Sequence, residues 1–229
     1  MILRNFFISA FIIIFTVSCG QPDQEWNSYG MDLSNQRFSK ITQINKTNVE
    51  TLEMAWQVQT GVPATFQSTP IVHEGVMFVS LPFNNVLALD AKTGNEIWRY
   101  EHDLNPNWKL CCGPSNRGVA LQGKQLFFGT VDARLISLNI KTGEKIWDIN
   151  VVKNNVESES ISDLDESDAN SDKQISGGTG VGISMAPVVY NGKVIIGITG
   201  VGYGLHVEEE GANTPLGAVV GVSGKYGRS

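Results

Sequence analysis

Hydrophobic and polar positions along this chain change over in short bursts rather than with a helical period. TPIVHEGVMFVS, residues 69–80, is an apolar run, a turn at Glu74-Gly75 and a second β-rich run. VLALDAKTGNEIW, residues 86–98, reads as a strand, a tight turn over residues 90–94 and a strand ending in tryptophan. Asp90 suits that turn because its carboxylate can accept from the turn's own backbone, and Gly94 supplies positive φ without steric cost. Helices do not fit: the apolar runs are too short, and glycine and β-branched residues are too frequent. The pattern predicts strands joined by tight turns.

The pattern also repeats. Residues 75–98 align without gaps to residues 124–147, a period of 49. Phe78 matches Phe127, Leu89 matches Leu138, Lys92-Thr93-Gly94 matches Lys141-Thr142-Gly143, and Ile97-Trp98 matches Ile146-Trp147. A third copy opens at APVVYNGKVIIG, 186–197, and AWQVQTG, 55–61, resembles the closing strand of an earlier one. A period of about 40–50 residues built from hairpins is the signature of propeller blades. The fold expected is all-β: a β-propeller with about two complete blades and parts of their neighbours. Trp98 and Trp147, at one repeat position, are expected to pack between blades.

The ends of the chain add to this. Arg4 precedes an apolar run at 6–17, the size of a signal-peptide core and too short for a comfortable membrane span. The run closes on Thr16-Val17-Ser18-Cys19-Gly20, which resembles the lipobox of bacterial lipoproteins, with Cys19 the acylated residue. Residues 1–19 are therefore read as an export signal, placing the mature chain in the periplasm, with a lipid anchor to the outer membrane. Residues 20–229 are read as the N-terminal part of a propeller that the chain leaves in mid-blade. Net charge is −6, so no basic footprint for nucleic acid exists. Residues 154–174 are rich in Ser, Asp and Glu and are expected to form an exposed acidic insertion. Its DLDESD portion lacks the glycine and terminal glutamate of a calcium-binding EF-hand loop.

LCCGPSNRGVA, 110–120, carries the most distinctive chemistry. Cys111 and Cys112 are adjacent, and neighbouring Cα atoms lie about 3.8 Å apart, closer than an ordinary disulfide wants. Export leaves these as the free pair in an oxidising compartment once Cys19 carries lipid. A disulfide between them is chemically open; a metal site is less well served, because no second pair stands at ligand spacing.

With these residues in view, the chain resembles the quinoprotein alcohol dehydrogenases, eight-bladed propellers that use pyrroloquinoline quinone (PQQ) and a metal ion. The resemblance is carried by residues 26–56, the two L-[DN]-x-K-T-G-x-x-I-W motifs, the CCGPSNRG run and GKVIIGITGVGYG at 192–204. It implies that Cys111 and Cys112 form a strained disulfide ring against the quinone. It also implies that Arg117 pairs with a PQQ carboxylate, with Asn116 and Gly118 shaping the turn that aims it. Ser184 falls where the family has a cofactor-binding threonine, and Thr199 and Gly200 match a hydroxyl residue and a glycine beside the cofactor.

Two departures stand out. Gln67 takes the place of a glutamate near the quinone and adds no charge. The calcium-binding glutamate falls at Gly202, or at Lys225 if GVSGKYGRS, 221–229, is the true counterpart; neither offers a carboxylate. Glu208, Glu209, Glu210 and His206 are the replacement ligands at hand, though a solvated loop accounts for them as well. The resemblance thus implies an enzyme that oxidises an alcohol with PQQ and passes electrons to a cytochrome c or membrane quinone. Its catalytic base is not among these residues. The alternative is a propeller that lost its metal and serves as a binding or assembly scaffold.

Overall fold

The structure, a computed structural model, describes residues 25–104, 114–151, 181–200 and 219–223. Two four-stranded antiparallel sheets form its centre. The first contains β1 (Ile71–His73), β2 (Val76–Ser80), β3 (Val86–Asp90) and β4 (Glu96–Tyr100), paired in sequence order. The second repeats the plan with β5 (Ala120–Gln122), β6 (Gln125–Gly129), β7 (Arg134–Asn139) and β8 (Lys145–Asn150). The 49-residue period holds even in the irregularities: the register shifts at Ala88/Leu89 in one sheet and at Ser137/Leu138 in the other.

A third sheet begins beyond a short pairing of β9 (Val181–Gly182) with β12 (Thr199–Gly200). It contains β10 (Val188–Tyr190), β11 (Lys193–Gly197) and β13 (Val219–Ser223), in that order. Five residues separate the paired Ser80 and Val86, and five separate Gly129 and Leu135; 21 separate Gly197 and Val219. The third sheet therefore carries its extra chain between its second and third strands. The acidic insertion expected at 154–174 lies outside the described residues.

Strand alternation decides which residues meet. Phe78, Val86, Ala88 and Trp98 of the first sheet pack with Leu126, Phe128, Ile136 and Leu138 of the second. Phe127 and Leu135, on the other face of the second sheet, pack with Val194 and Ile196 of the third and with Ile183, just beyond β9. The sheets stack face to face around one direction, which is how blades bury cores that none could bury alone.

The repeated tryptophans fasten the stack. Trp98 donates its indole N–H to the Ile140 carbonyl at 3.0 Å, on the turn of the next sheet. Trp56 does the same to Ala91 at 3.2 Å. Each ring lies over the turn glycine: a Cβ on Gly143 would sit 2.6 Å from the Trp98 ring, and one on Gly94 would sit 2.7 Å from Trp56. Both glycines have positive φ, 73° and 75°. Residues 55–61 thus pack as the end of an earlier blade would, although they form no strand. Trp147, half buried against Phe127, occupies the same place facing the third sheet.

Candidate cofactor site

Antiparallel order sends the 67–70, 81–85, 101–104, 114–119, 130–133 and 183–187 stretches to one end of the stack. The candidate site is built there. Its floor is a set of buried polar residues: Ser80, Asn84, Ser115, Asn116 and Thr130. Polar groups survive burial only with partners, and most of these have them. Asn84 Oδ1 accepts from the Val131 N–H at 3.1 Å, and Thr130 Oγ1 accepts from the Arg134 N–H at 2.9 Å. Ser115 Oγ and Asn84 Nδ2 are buried without a partner.

Asn116 organises the loop that carries Arg117. Its side-chain N–H donates to the Gly129 carbonyl at 2.7 Å, and its Oδ1 accepts from the Gly118 N–H at 3.0 Å. Gly118 is required here: its φ is 149°, and a Cβ would lie 3.2 Å from Ala186 Cβ and 3.4 Å from the Thr69 carbonyl. The Arg117 backbone is tied on both sides, its carbonyl accepting from the Thr69 N–H at 3.1 Å and its N–H donating to the Ser184 carbonyl at 3.0 Å. The backbone of Arg117 is thereby fixed while its side chain stays exposed.

That side chain meets a second candidate. Arg117 Nη1 donates to Ser184 Oγ at 2.8 Å. Ser184 lies two residues beyond Gly182, which pairs with Thr199 across β9 and β12. Gln67, exposed, lies two residues before the Thr69 that holds Arg117. Four separate stretches carrying Gln67, Arg117, Ser184 and Thr199-Gly200 are thus linked backbone to backbone at one end. Cys111 and Cys112, Gly202, His206, Glu208, Glu209, Glu210 and Lys225 lie outside the described residues, as does Cys19.

A cavity of about 610 Å³ opens beside Arg117, between residues 27–35 and the strands at Ala120-Leu121 and Val188-Val189. Met185, Ala186 and Pro187 give it an apolar wall. No carboxylate pairs with Arg117 among the described residues. A guanidinium with no carboxylate partner, a hydroxyl hydrogen-bonded to it and an apolar wall suit a flat, multiply anionic ligand, because a guanidinium fork matches a carboxylate. The donor set fits PQQ, a planar tricarboxylate. It does not fit a metal: among the described residues, no three His, Cys, Asp or Glu side chains come together.

A feature the sequence did not reveal flanks this end. His102 Nε2 lies 3.0 Å from Asp132 Oδ2, joining the exit of β4 to the β6–β7 turn, and both side chains are largely buried. Burial works to raise the Asp132 carboxyl, but hydrogen bonds from His102 and Thr130 outweigh it and hold the group below its usual range. Tyr100, beside His102, is pushed up to about 12 by burial, with the charges of Asp148 and Asp132 adding to it.

Stacked four-stranded antiparallel sheets that repeat with a regular period define a β-propeller. Residues 26–221 match the PQQ family described as glucose/ethanol/alcohol dehydrogenase, beta-propeller domain. The chain belongs to that family. It is 35% identical to the quinohemoprotein alcohol dehydrogenase ADH IIB of Pseudomonas putida over 187 residues, which is 81% of this chain and 24% of the relative. It is 41% identical over 121 residues to a quinoprotein ethanol dehydrogenase of the same species, covering 52% of this chain and 19% of the relative. Among solved structures, the quinohemoprotein alcohol dehydrogenase of Comamonas testosteroni superposes with a TM-score of 0.60 at 32% identity, over 77% of this chain and 23% of that one. A europium-containing methanol dehydrogenase gives 0.62 at 27% identity, over 77% and 28%. The chain spans about a quarter of the length of the curated relatives it matches over most of its own length. The scaffold alternative gains no support from relatives that are named as dehydrogenases.

Proposed function

We propose that this chain is the N-terminal part, residues 20–229, of a quinoprotein dehydrogenase that binds PQQ and oxidises an alcohol. The observation that carries the reading is the junction of Arg117 with Ser184 beside an apolar-walled cavity. When bound, PQQ supplies the two-electron oxidant that takes hydrogen equivalents from the alcohol.

The chain's own residues bind and orient. Arg117 presents its guanidinium to a carboxylate with its backbone already fixed, so little ordering entropy is lost on binding. Ser184 Oγ accepts from Arg117, which leaves the hydroxyl proton free to donate to the same anion. The family resemblance adds Gln67, Thr199 and Gly200 to the cofactor contacts, Gln67 through a neutral amide in place of a carboxylate. By the family resemblance, Cys111 and Cys112 would lie against the quinone as a disulfide, and residues 154–174 would be an exposed acidic insertion. Calcium, which the family resemblance implies, would need carboxylates from outside the described residues, and no step is assigned to it.

The exported chain works in the periplasm, held at the membrane by lipid on Cys19, and passes electrons to a cytochrome c or membrane quinone. No helix among the described residues is long and apolar enough to cross a membrane. The test is reconstitution of the full-length protein with PQQ, followed by alcohol-dependent dye reduction. Turnover that needs both PQQ and a primary alcohol supports the reading; a protein that never takes up PQQ ends it.

A further inference from the structure

We propose that Ser80 is a positioning residue for the cofactor: its buried hydroxyl holds the Arg117 loop in register with the chain that carries Gln67. The proposal rests on the PQQ reading of this site. Ser80 closes β2 and is 1% exposed. Its Oγ lies 3.0 Å from Ser68 Oγ and 3.4 Å from the Asn116 carbonyl oxygen.

The direction of both bonds follows from chemistry. A carbonyl can only accept, so the Ser80 proton points to Asn116. Ser68 must then be the donor to Ser80. The result is an ordered chain, Ser68 to Ser80 to Asn116, with Gln67 next to one end and Arg117 next to the other. Removing its middle would leave a buried carbonyl without a donor, the costlier way to lose a hydrogen bond.

The repeat explains why this position holds a serine. Ser80 corresponds to Gly129 in the second blade and to Gly197 in the third. At Gly129 a Cβ would run into the Ile183 side chain, and at Gly197 it would lie 2.7 Å from Met185 Sδ. At Gly129 the chain crossing from the next blade fills the space with Ile183, and at Gly197 the third blade's own entering chain fills it with Met185. In the first blade the crossing residue is Asn116, and Ser80 fills the space with a donor. Asn116 is thereby gripped from equivalent places in two blades: its backbone carbonyl by Ser80, its side-chain amide by the Gly129 carbonyl. A departure from glycine at this repeat position thus coincides with the one crossing that aims a candidate ligand-binding cation.

The test uses the full-length protein, with PQQ titrated into wild type, Ser80→Ala, Arg117→Ala and the double variant, and thermal unfolding recorded for each. Ser80→Ala is expected to weaken PQQ binding about 3–10-fold. In the Arg117→Ala background the same change is expected to have no further effect on affinity, because its influence runs through Arg117. Ser68→Ala, which trims the far end of the chain, is expected to act in the same direction and less. An unchanged affinity in Ser80→Ala, or the same loss with and without Arg117, would overturn the positioning role and leave Ser80 a packing residue. Wild-type protein that binds no PQQ would instead overturn the reading of the site itself. Those two failures are distinct.

Discussion

Arg117 Nη1 lies 2.8 Å from Ser184 Oγ, although 67 residues separate them in the chain. The two belong to successive chain crossings at one end of the propeller, and the backbone bond between Arg117 N–H and the Ser184 carbonyl fixes the pair before any ligand arrives. Arg117→Ala should therefore abolish most PQQ affinity, by about 100-fold, since charge-assisted bonds to a carboxylate carry roughly 1.5–3 kcal/mol. Arg117→Lys should recover only part, because an ammonium cannot reproduce the fork. Ser184→Ala should cost less, about 3–10-fold. Equilibrium titration of each variant checks the order.

The tryptophan-on-glycine contact makes a stability prediction. Gly143→Ala would place a Cβ against the Trp98 ring at a backbone φ of 73°. Steric overlap and left-handed strain add, so a loss of about 2–4 kcal/mol is expected in denaturant unfolding. Gly123→Ala is the control. Its φ is also positive, 56°, but nothing lies within 4 Å of an added Cβ. That change should cost only about 1 kcal/mol.

Acid should weaken the junction of the first two blades through Asp132. The folded-state carboxyl is depressed below its ordinary 3.8, so its contribution is complete above that value and lost as pH falls through the folded pKa. Unfolding midpoints measured from pH 6 down to about pH 3 should drop in the wild type and drop less steeply in Asp132→Asn. Asp132→Ala should cost about 1–3 kcal/mol near neutrality, because it leaves the buried His102 Nε2 without its hydrogen-bond partner.

Much of this was legible in the sequence because it is local or periodic. Strand, turn and tryptophan recur every 49 residues, so the blades and the packing of Trp98 between them could be read from the repeat. The Lys-Thr-Gly turns behave as their residues dictate: Asp90 Oδ1 accepts from the Thr93 N–H at 2.7 Å and from its hydroxyl at 2.8 Å. Arg117 and Ser184 were each legible as single residues by resemblance, but their contact was not. It depends on where two chain crossings fall in three dimensions. Ser80 and the His102–Asp132 pair were missed for the same reason: each joins distant stretches. Ser80 did leave a trace, being the hydroxyl residue at a repeat position that is glycine twice. Residues 55–61 were read as a strand from their likeness to later blades, and they pack like one without pairing. No sheet partner precedes them among the described residues; packing of Trp56 on Gly94 and side-chain hydrogen bonds, Trp56 to the Ala91 carbonyl and Arg99 to the Thr60 carbonyl, hold them instead.

The metal question separates two versions of the chemistry. Gly202 and Lys225 offer no carboxylate, and among the described residues Asp32 is the one carboxylate lining the cavity beside Arg117, with no cluster of three ligand side chains. PQQ binding to the full-length protein should therefore depend on added calcium only if ligands come from elsewhere in the chain. Titrations with calcium and with chelator, on wild type and on Glu208→Gln, Glu209→Gln and Glu210→Gln variants, would show whether that run of glutamates supplies them.

The most direct measurement is a titration of the full-length protein with PQQ, followed by the quinone absorbance and by quenching of tryptophan fluorescence, with Arg117→Ala alongside. Saturable binding at one PQQ per chain, weakened about 100-fold in Arg117→Ala, is the result predicted here. Absence of saturable binding, or equal binding by both proteins, would contradict the assignment of Arg117 and Ser184 to a quinone cofactor.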